Sequence, residues 1–146
     1  LRETAMGLVT RHLPPVTEDE AYAALGRVLA RAAALGLTAV QVMSGEDAGS
    51  VEQRAYRRAL RDGALPVRLR VSLPLRGVPT DAEVRRVVAL RDSFPGPLLR
   101  FGVLKGMLDG TVDARTAAML EPYVGGGTGL PRWSADSLGR AVARWD

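Results

Sequence analysis

The feature that most constrains this chain is an alternation of helix-period and strand-period segments, each closed by glycine or proline. Thr17 and Glu20 have the spacing of a capping box, in which each side chain bonds the other residue's backbone N–H. They open a helix in which Ala21, Leu25, Val28, Leu29, Ala32 and Leu35 recur at helical spacing, and Gly36 stands where a C-terminal glycine belongs. Residues 37–42 read as a short, mostly apolar strand, and a second helix is expected over about 51–62, ended by Gly63. Residues 65–73 alternate, with Val67, Leu69, Val71 and Leu73 on one face and Arg68, Arg70 and Ser72 on the other, which predicts a strand. Thr80 or Asp81 caps a third helix carrying Val84, Val87, Val88 and Arg91, stopped by Pro95-Gly96-Pro97. Residues 98–107 form a third strand. A loop-rich region follows, with Gly125-Gly126-Gly127 read as a flexible crossing loop, and Ser134 caps a last helix. Residues 1–16 hold a short amphipathic pattern (Leu1, Ala5, Leu8, Val9) and a connection that ends in Pro14-Pro15.

Strands alternating with helices imply parallel pairing through crossovers, an α/β fold. Two architectures fit: a doubly wound sheet and part of a (β/α)8 barrel. The first strand is followed by Met43-Ser44-Gly45-Glu46-Asp47-Ala48-Gly49, which lacks GxGxxG spacing and carries two acids that repel phosphate. Arginines within a strand suit the polar end of a barrel lumen better. Three strands are too few to close a barrel of eight. The chain also opens on Leu1 and stops at Trp145-Asp146 within a helical pattern, so residues 1–146 read as an internal piece of a TIM barrel.

Composition narrows the chemistry. Among 146 residues there is no cysteine, which excludes disulfides, zinc–thiolate sites and a cysteine nucleophile. One histidine, His12, rules out a multi-histidine metal site within these residues and reads as a surface or packing residue. No apolar run reaches membrane-spanning length. The net charge is +4, and only one of the 20 basic residues, Lys105, is lysine. Isoleucine and asparagine are absent, so a GC-rich codon bias explains the arginines and makes the surviving lysine informative.

In such folds chemistry gathers at the C-terminal ends of the strands. Parity leaves Gln41 and Met43 inward on the first strand and Arg70 and Ser72 inward on the second, and puts Phe101, Val103, Lys105 and Met107 on one face of the third. A buried, inward Arg70 needs a partner, either substrate or a carboxylate. Lys105, near a strand end and followed by Asp109, has three readings: it neutralises a carboxylate, it forms a Schiff base, or it is carboxylated and bridges two divalent metals.

Residues 104–123, LKGMLDGTVDARTAAMLEPY, closely resemble the amidohydrolase superfamily, and within it amidohydrolase family 3, the branch of N-substituted formamide deformylase-like enzymes, whose members carry a "VKLFADGSLGSRTAALLEPY"-like segment. Gly36-Leu37-Thr38-Ala39-Val40, Leu65-Pro66-Val67-Arg68 and Trp133-Ser134 agree with the family's "GLTSV", "LPVRV" and "WSPEEL", in the same order. Where relatives read "SVHDM", this chain has Ala39-Val40-Gln41-Val42-Met43 and lacks the His-Asp pair.

The resemblance implies a (β/α)8 metal-dependent hydrolase, of which these residues form about strands 2–4. It acts on C–N bonds other than peptide bonds in a small amide-type substrate, through water activated by a divalent ion, zinc by expectation. Lys105 then aligns with the carboxylated, metal-bridging lysine. Asp109 and Arg115 shape the mouth of the site, and Gln41 and Arg70 face it. The His-x-His of the first strand, the later histidines and the catalytic aspartate fall outside residues 1–146, so the chain alone is expected to be inactive. A cytoplasmic location is expected.

The rival class is a basic α/β module that binds nucleic acid or another anion. Arg54, Arg57, Arg58 and Arg61 cluster on the second helix, but Glu46, Asp47, Glu52 and Asp62 flank them and no aromatics interleave. A solvated helix face is the simpler reading, so neither nucleic acid nor membrane is expected as a partner. Trp133 and Trp145 are read as packing the last helix. An open arc exposes sheet edges and apolar helix faces, so self-association is expected.

Overall fold

A computed structural model describes residues 6–43 and 49–146. The elements run α1 (Gly7–Thr10), α2 (Glu18–Ala34), β1 (Ala39–Val42), α3 (Val51–Arg61), β2 (Arg68–Leu75), α4 (Asp81–Asp92), β3 (Leu99–Gly106) and α5 (Ala135–Trp145). The three strands form one parallel sheet in the order β1-β2-β3, each joined to the next through a helix. The expected alternation is therefore present. Leu1, Ala5 and 44–48 of the first strand–helix turn lie outside the described residues.

The caps form as their spacing predicts. Thr17 and Glu20 make a reciprocal capping box on α2, and Thr80, rather than Asp81, does the same with Glu83 on α4. The N–H and hydroxyl of each threonine bond the glutamate carboxylate, which holds both carboxyls below their usual range. Ser134 accepts from the Ser137 N–H to start α5. Gly36 and Gly63 take the left-handed conformation just past α2 and α3.

One face of the sheet is covered. Leu69, Val71 and Leu73 of β2 and Leu99 and Phe101 of β3 pack against Leu29 and Ala32 of α2, Tyr56 and Ala59 of α3 and Leu90 of α4. Val40 and Val42 of β1 join this core, as expected. Leu65 and Val67 are buried as well, but the ladder begins only at Arg68, so the strand starts three residues later than the alternation implied. Val28 and Leu35, part of the apolar set that recurs at helical spacing in α2, are exposed, because α2 packs through Leu29 and Ala32 and no described element covers its other side.

The opposite face is open. Gln41, Arg70 and Arg100 stand in register across the three strands and all are exposed. Between Val71 and Ser72 the β2–β3 register shifts: Val71 faces Phe101, Ser72 faces Val103, and Gly102 is left unopposed at φ +115°. This β-bulge reverses the alternation along β3. Phe101 packs into the core, and so does Leu104, whereas Val103 and Lys105 pair with Ser72 and Pro74 on the open face. The sequence expectation that Phe101 and Lys105 share a face is thus wrong, and the inserted glycine is the reason.

Candidate active site at the C-terminal strand ends

Lys105 is the penultimate residue of β3 and stands half-buried on the open face beside Pro74. Its ammonium makes no hydrogen bond or ion pair among the described residues. Asp109 does not neutralise it. The Asp109 carboxylate accepts instead from the Ala118 N–H at 2.8 Å and ties down the loop that follows β3.

That loop is held by its own backbone rather than hanging free. Thr116 O accepts from Gly110 N and Leu130 N, Met119 N donates to Thr128 O, and Tyr123 Oη donates to Ala117 O at 2.9 Å. Gly125, Gly126 and Gly127, expected as a flexible crossing loop, form a turn with φ of 96°, 95° and 81°, closed by Tyr123 N to Gly127 O and Gly126 N to Tyr123 O. Arg115, the one non-glycine residue at positive φ among those described, is exposed on this loop and reaches over Gly125. The loop then returns to the sheet: Arg132 N donates to Leu108 O, and the Trp133 indole N–H donates to Met107 O at 3.0 Å. Trp133 therefore clamps the exit of β3, a role beyond packing α5.

The structure brings some of the expected site residues together and separates others. Gln41 and Arg70 are register partners on the open face. Lys105 shares that face but lies opposite Pro74, four residues beyond Arg70, or about 13 Å along the strand. Arg70 is exposed rather than buried and has no partner among the described residues. Asp109 and Arg115 lie on the loop beyond, where Asp109 bonds the Ala118 N–H and Arg115 reaches over Gly125. Ser72 is fully buried, and its hydroxyl donates to Val42 O at 2.6 Å, which locks β2 to the end of β1. Sequence reading missed Arg76 and Arg132. With Lys105, Met107 and Trp133, they line one cavity at the ends of β2 and β3. The position of Arg76 directly after β2 was a usable signal; that of Arg132 is set by the folded loop.

The donor set tests whether a metal fits. Among the described residues no three His, Cys, Asp or Glu side chains gather in one place, so these residues do not by themselves make a metal centre. His12 is exposed, beside Arg11. The arginines of α3 are also accounted for in part. Arg54 pairs with Glu18, and Arg58 pairs with Asp19 at 2.5 Å and stacks over Tyr22. Arg57 lies over Phe94. Asp19 hydrogen-bonds the Arg58 guanidinium and raises its already high pKa. These cations fasten α3 to its neighbours rather than forming a free basic stripe. Among the described residues no helix is long and apolar enough to cross a membrane.

A model of the amidohydrolase family matches residues 1–146. YtcJ of Bacillus subtilis (strain 168), a protein that carries an amidohydrolase name, is 27% identical over 125 residues, covering 84% of this chain and 22% of YtcJ. Two crystal structures of uncharacterized metal-dependent hydrolases share the fold. The one from Pyrococcus horikoshii OT3 has a TM-score of 0.70 at 20% identity and covers 96% of this chain and 27% of that one. The one from Pyrococcus furiosus has a TM-score of 0.72 at 21% identity, covering 99% of this chain and 30% of that one. The chain thus spans 22–30% of the length of these proteins.

Proposed function

Since the chain belongs to amidohydrolase family 3, we propose that it is an arc of a (β/α)8 barrel, about strands 2–4, in a cytoplasmic metal-dependent hydrolase. The reaction is hydrolysis of a C–N bond, other than a peptide bond, in a small amide-type molecule. The observation that carries this reading is Lys105. The chain's only lysine stands at the C-terminal end of a parallel strand, on the uncovered face, with no partner among the described residues. That is where barrel enzymes place their chemistry.

A divalent ion, zinc in this reading, supplies a polarised water when bound. Such an ion needs three or four donors. Lys105, carboxylated on its Nζ, would be this chain's one ligand, and the remaining donors would come from a longer protein. The chain's other residues act on the substrate. Arg70 presents up to five N–H donors, and Gln41 a donor and an acceptor, to a molecule seated on the sheet. Asp109 and Arg115 hold the loop over the strand ends.

Lys105→Ala in the complete barrel tests the reading. Loss of bound metal together with turnover is expected; stoichiometric metal and normal turnover in the variant would overturn the ligand role. The 146-residue chain alone is expected to hold no zinc after dialysis, and one tightly held equivalent would contradict the donor count.

A further inference from the structure

We infer that the open face of the sheet docks carboxylates: aspartate or glutamate side chains of the barrel strands outside residues 1–146 pack against Arg68, Arg70 and Arg100. The inference rests on the reading of the chain as a barrel arc, and charge carries it. None of the three strands contains an aspartate or a glutamate. The strand arginines all stand on the uncovered side, because Leu69, Val71, Leu99 and Phe101 take the helix side. Arg70 and Arg100 are register partners. Two like charges therefore share one rung between strands about 4.8 Å apart, an arrangement that costs stability. No acid offsets them among the described residues. Arg68 donates to Thr38 Oγ1 and Arg100 to Gly96 O, both neutral acceptors. The Arg70 guanidinium makes no hydrogen bond or ion pair among those residues. Lys105 stands about 13 Å farther along the strands, and its carbamate is engaged at the metal in this reading, so it does not enter the count.

The chemistry of the face selects its occupant. A purely apolar cover would bury three cations without partners. A second copy set face to face would bring arginine onto arginine. Ala39 and Val103 are exposed on the same face, so cations and apolar surface are mixed there, which suits a packed protein layer better than a phosphate backbone. Inward side chains of a closed barrel form such layers, and Arg68 and Arg100 stand at the first and second positions of their strands, the end that serves stability rather than chemistry. A carboxylate fits the planar guanidinium fork. It uses two of the five N–H donors of Arg70, which leaves donors for a molecule seated on the sheet.

Two substitutions of Arg100, read in the 146-residue chain and in the complete barrel, test this docking. In the chain alone, Arg100→Glu creates an ion pair with Arg70 across the rung. Its urea midpoint should lie above that of the neutral Arg100→Gln, and high salt should shrink the gap. In the complete barrel the order should invert, because the new carboxylate faces the carboxylates that Arg100 had held. If the barrel supplied none, Arg100→Glu would still pair with Arg70 and stay above Arg100→Gln in both, and the inference would fall. Arg70→Glu against Arg70→Gln repeats the comparison from the other strand and covers the case in which an Arg100 variant does not fold. Arginine labelling with phenylglyoxal, located by mass spectrometry, separates this inference from the barrel reading. Arg70 and Arg100 should react in the chain and be protected in the complete barrel. Undiminished reaction there would overturn both, whereas protection with Arg100→Glu still above Arg100→Gln would overturn the inference alone. A salt-dependent complex of the chain with duplex DNA that Arg70→Gln/Arg100→Gln abolished would assign the face to phosphates and overturn carboxylate docking.

Discussion

Phe101 and Lys105, four positions apart on β3, lie on opposite faces of the sheet. An unbroken strand would put them on the same side, and with Phe101 in the core Lys105 would then point among the helices. Gly102 removes that conflict. It adds one unopposed residue at φ +115°, and a Cβ there would stand 3.1 Å from Arg91 Cγ. Both the backbone angle and the space favour glycine.

Gly102→Val is therefore expected to destabilise the chain by about 1–3 kcal/mol, the usual cost of a strained backbone position. Urea denaturation would show it as a lower midpoint. Lys105 is the only lysine, so amine labelling read by mass spectrometry reports its exposure directly. If the variant relieves strain by losing the bulge, labelling at Lys105 falls. Unchanged stability and unchanged labelling would mean that the bulge does not depend on glycine.

Ser72 tests the coupling of β1 to β2. Its hydroxyl is fully buried and bonds Val42 O at 2.6 Å. Ser72→Ala removes the donor without adding bulk, and a loss of about 1 kcal/mol is expected from one buried hydrogen bond. Hydrogen exchange should rise first at β1, which has one strand neighbour and only four residues.

Acid titration should loosen the starts of α2 and α4. The Glu20 and Glu83 carboxyls are held below their ordinary range, first by the backbone N–H bonds of Thr17 and Thr80 and then by the threonine hydroxyls. A lowered folded-state value means that the stabilisation is fully present above the unfolded glutamate value and is lost as pH falls through the folded one. Amide exchange at the first turns of both helices should therefore accelerate below the ordinary glutamate range. In a Glu20→Gln/Glu83→Gln chain that pH dependence should flatten, and an identical acid profile would exclude the capping boxes as its source.

Arg58 joins α3 to α2 through Asp19 and the Tyr22 ring. Arg58→Gln should lower Tm slightly, since exposed ion pairs contribute little while the lost stacking contributes more. The same engagement predicts no tight binding of duplex DNA at low ionic strength. A strongly salt-dependent complex that Arg54→Gln/Arg58→Gln abolished would revive the nucleic-acid reading.

What the sequence determined by itself was the order and type of the elements, their caps and the orientation of β1 and β2. These depend on local spacing: Thr17 with Glu20, glycine after each of the first two long helices, and an uninterrupted period of two from Leu69 to Leu73. The motif around Lys105 was legible for the same reason, since it is contiguous. Tertiary structure decided the rest. The face of β3 that carries Lys105 depends on one glycine whose bulge exists only opposite β2. Asp109 serves the loop rather than Lys105 because Ala118 folds back to it. Arg76 and Arg132, 56 positions apart in the numbering, meet at one cavity because the loop after β3 returns across the strand ends. Short-range periodicity reads the elements, but only the packed chain can say which distant side chains share a site.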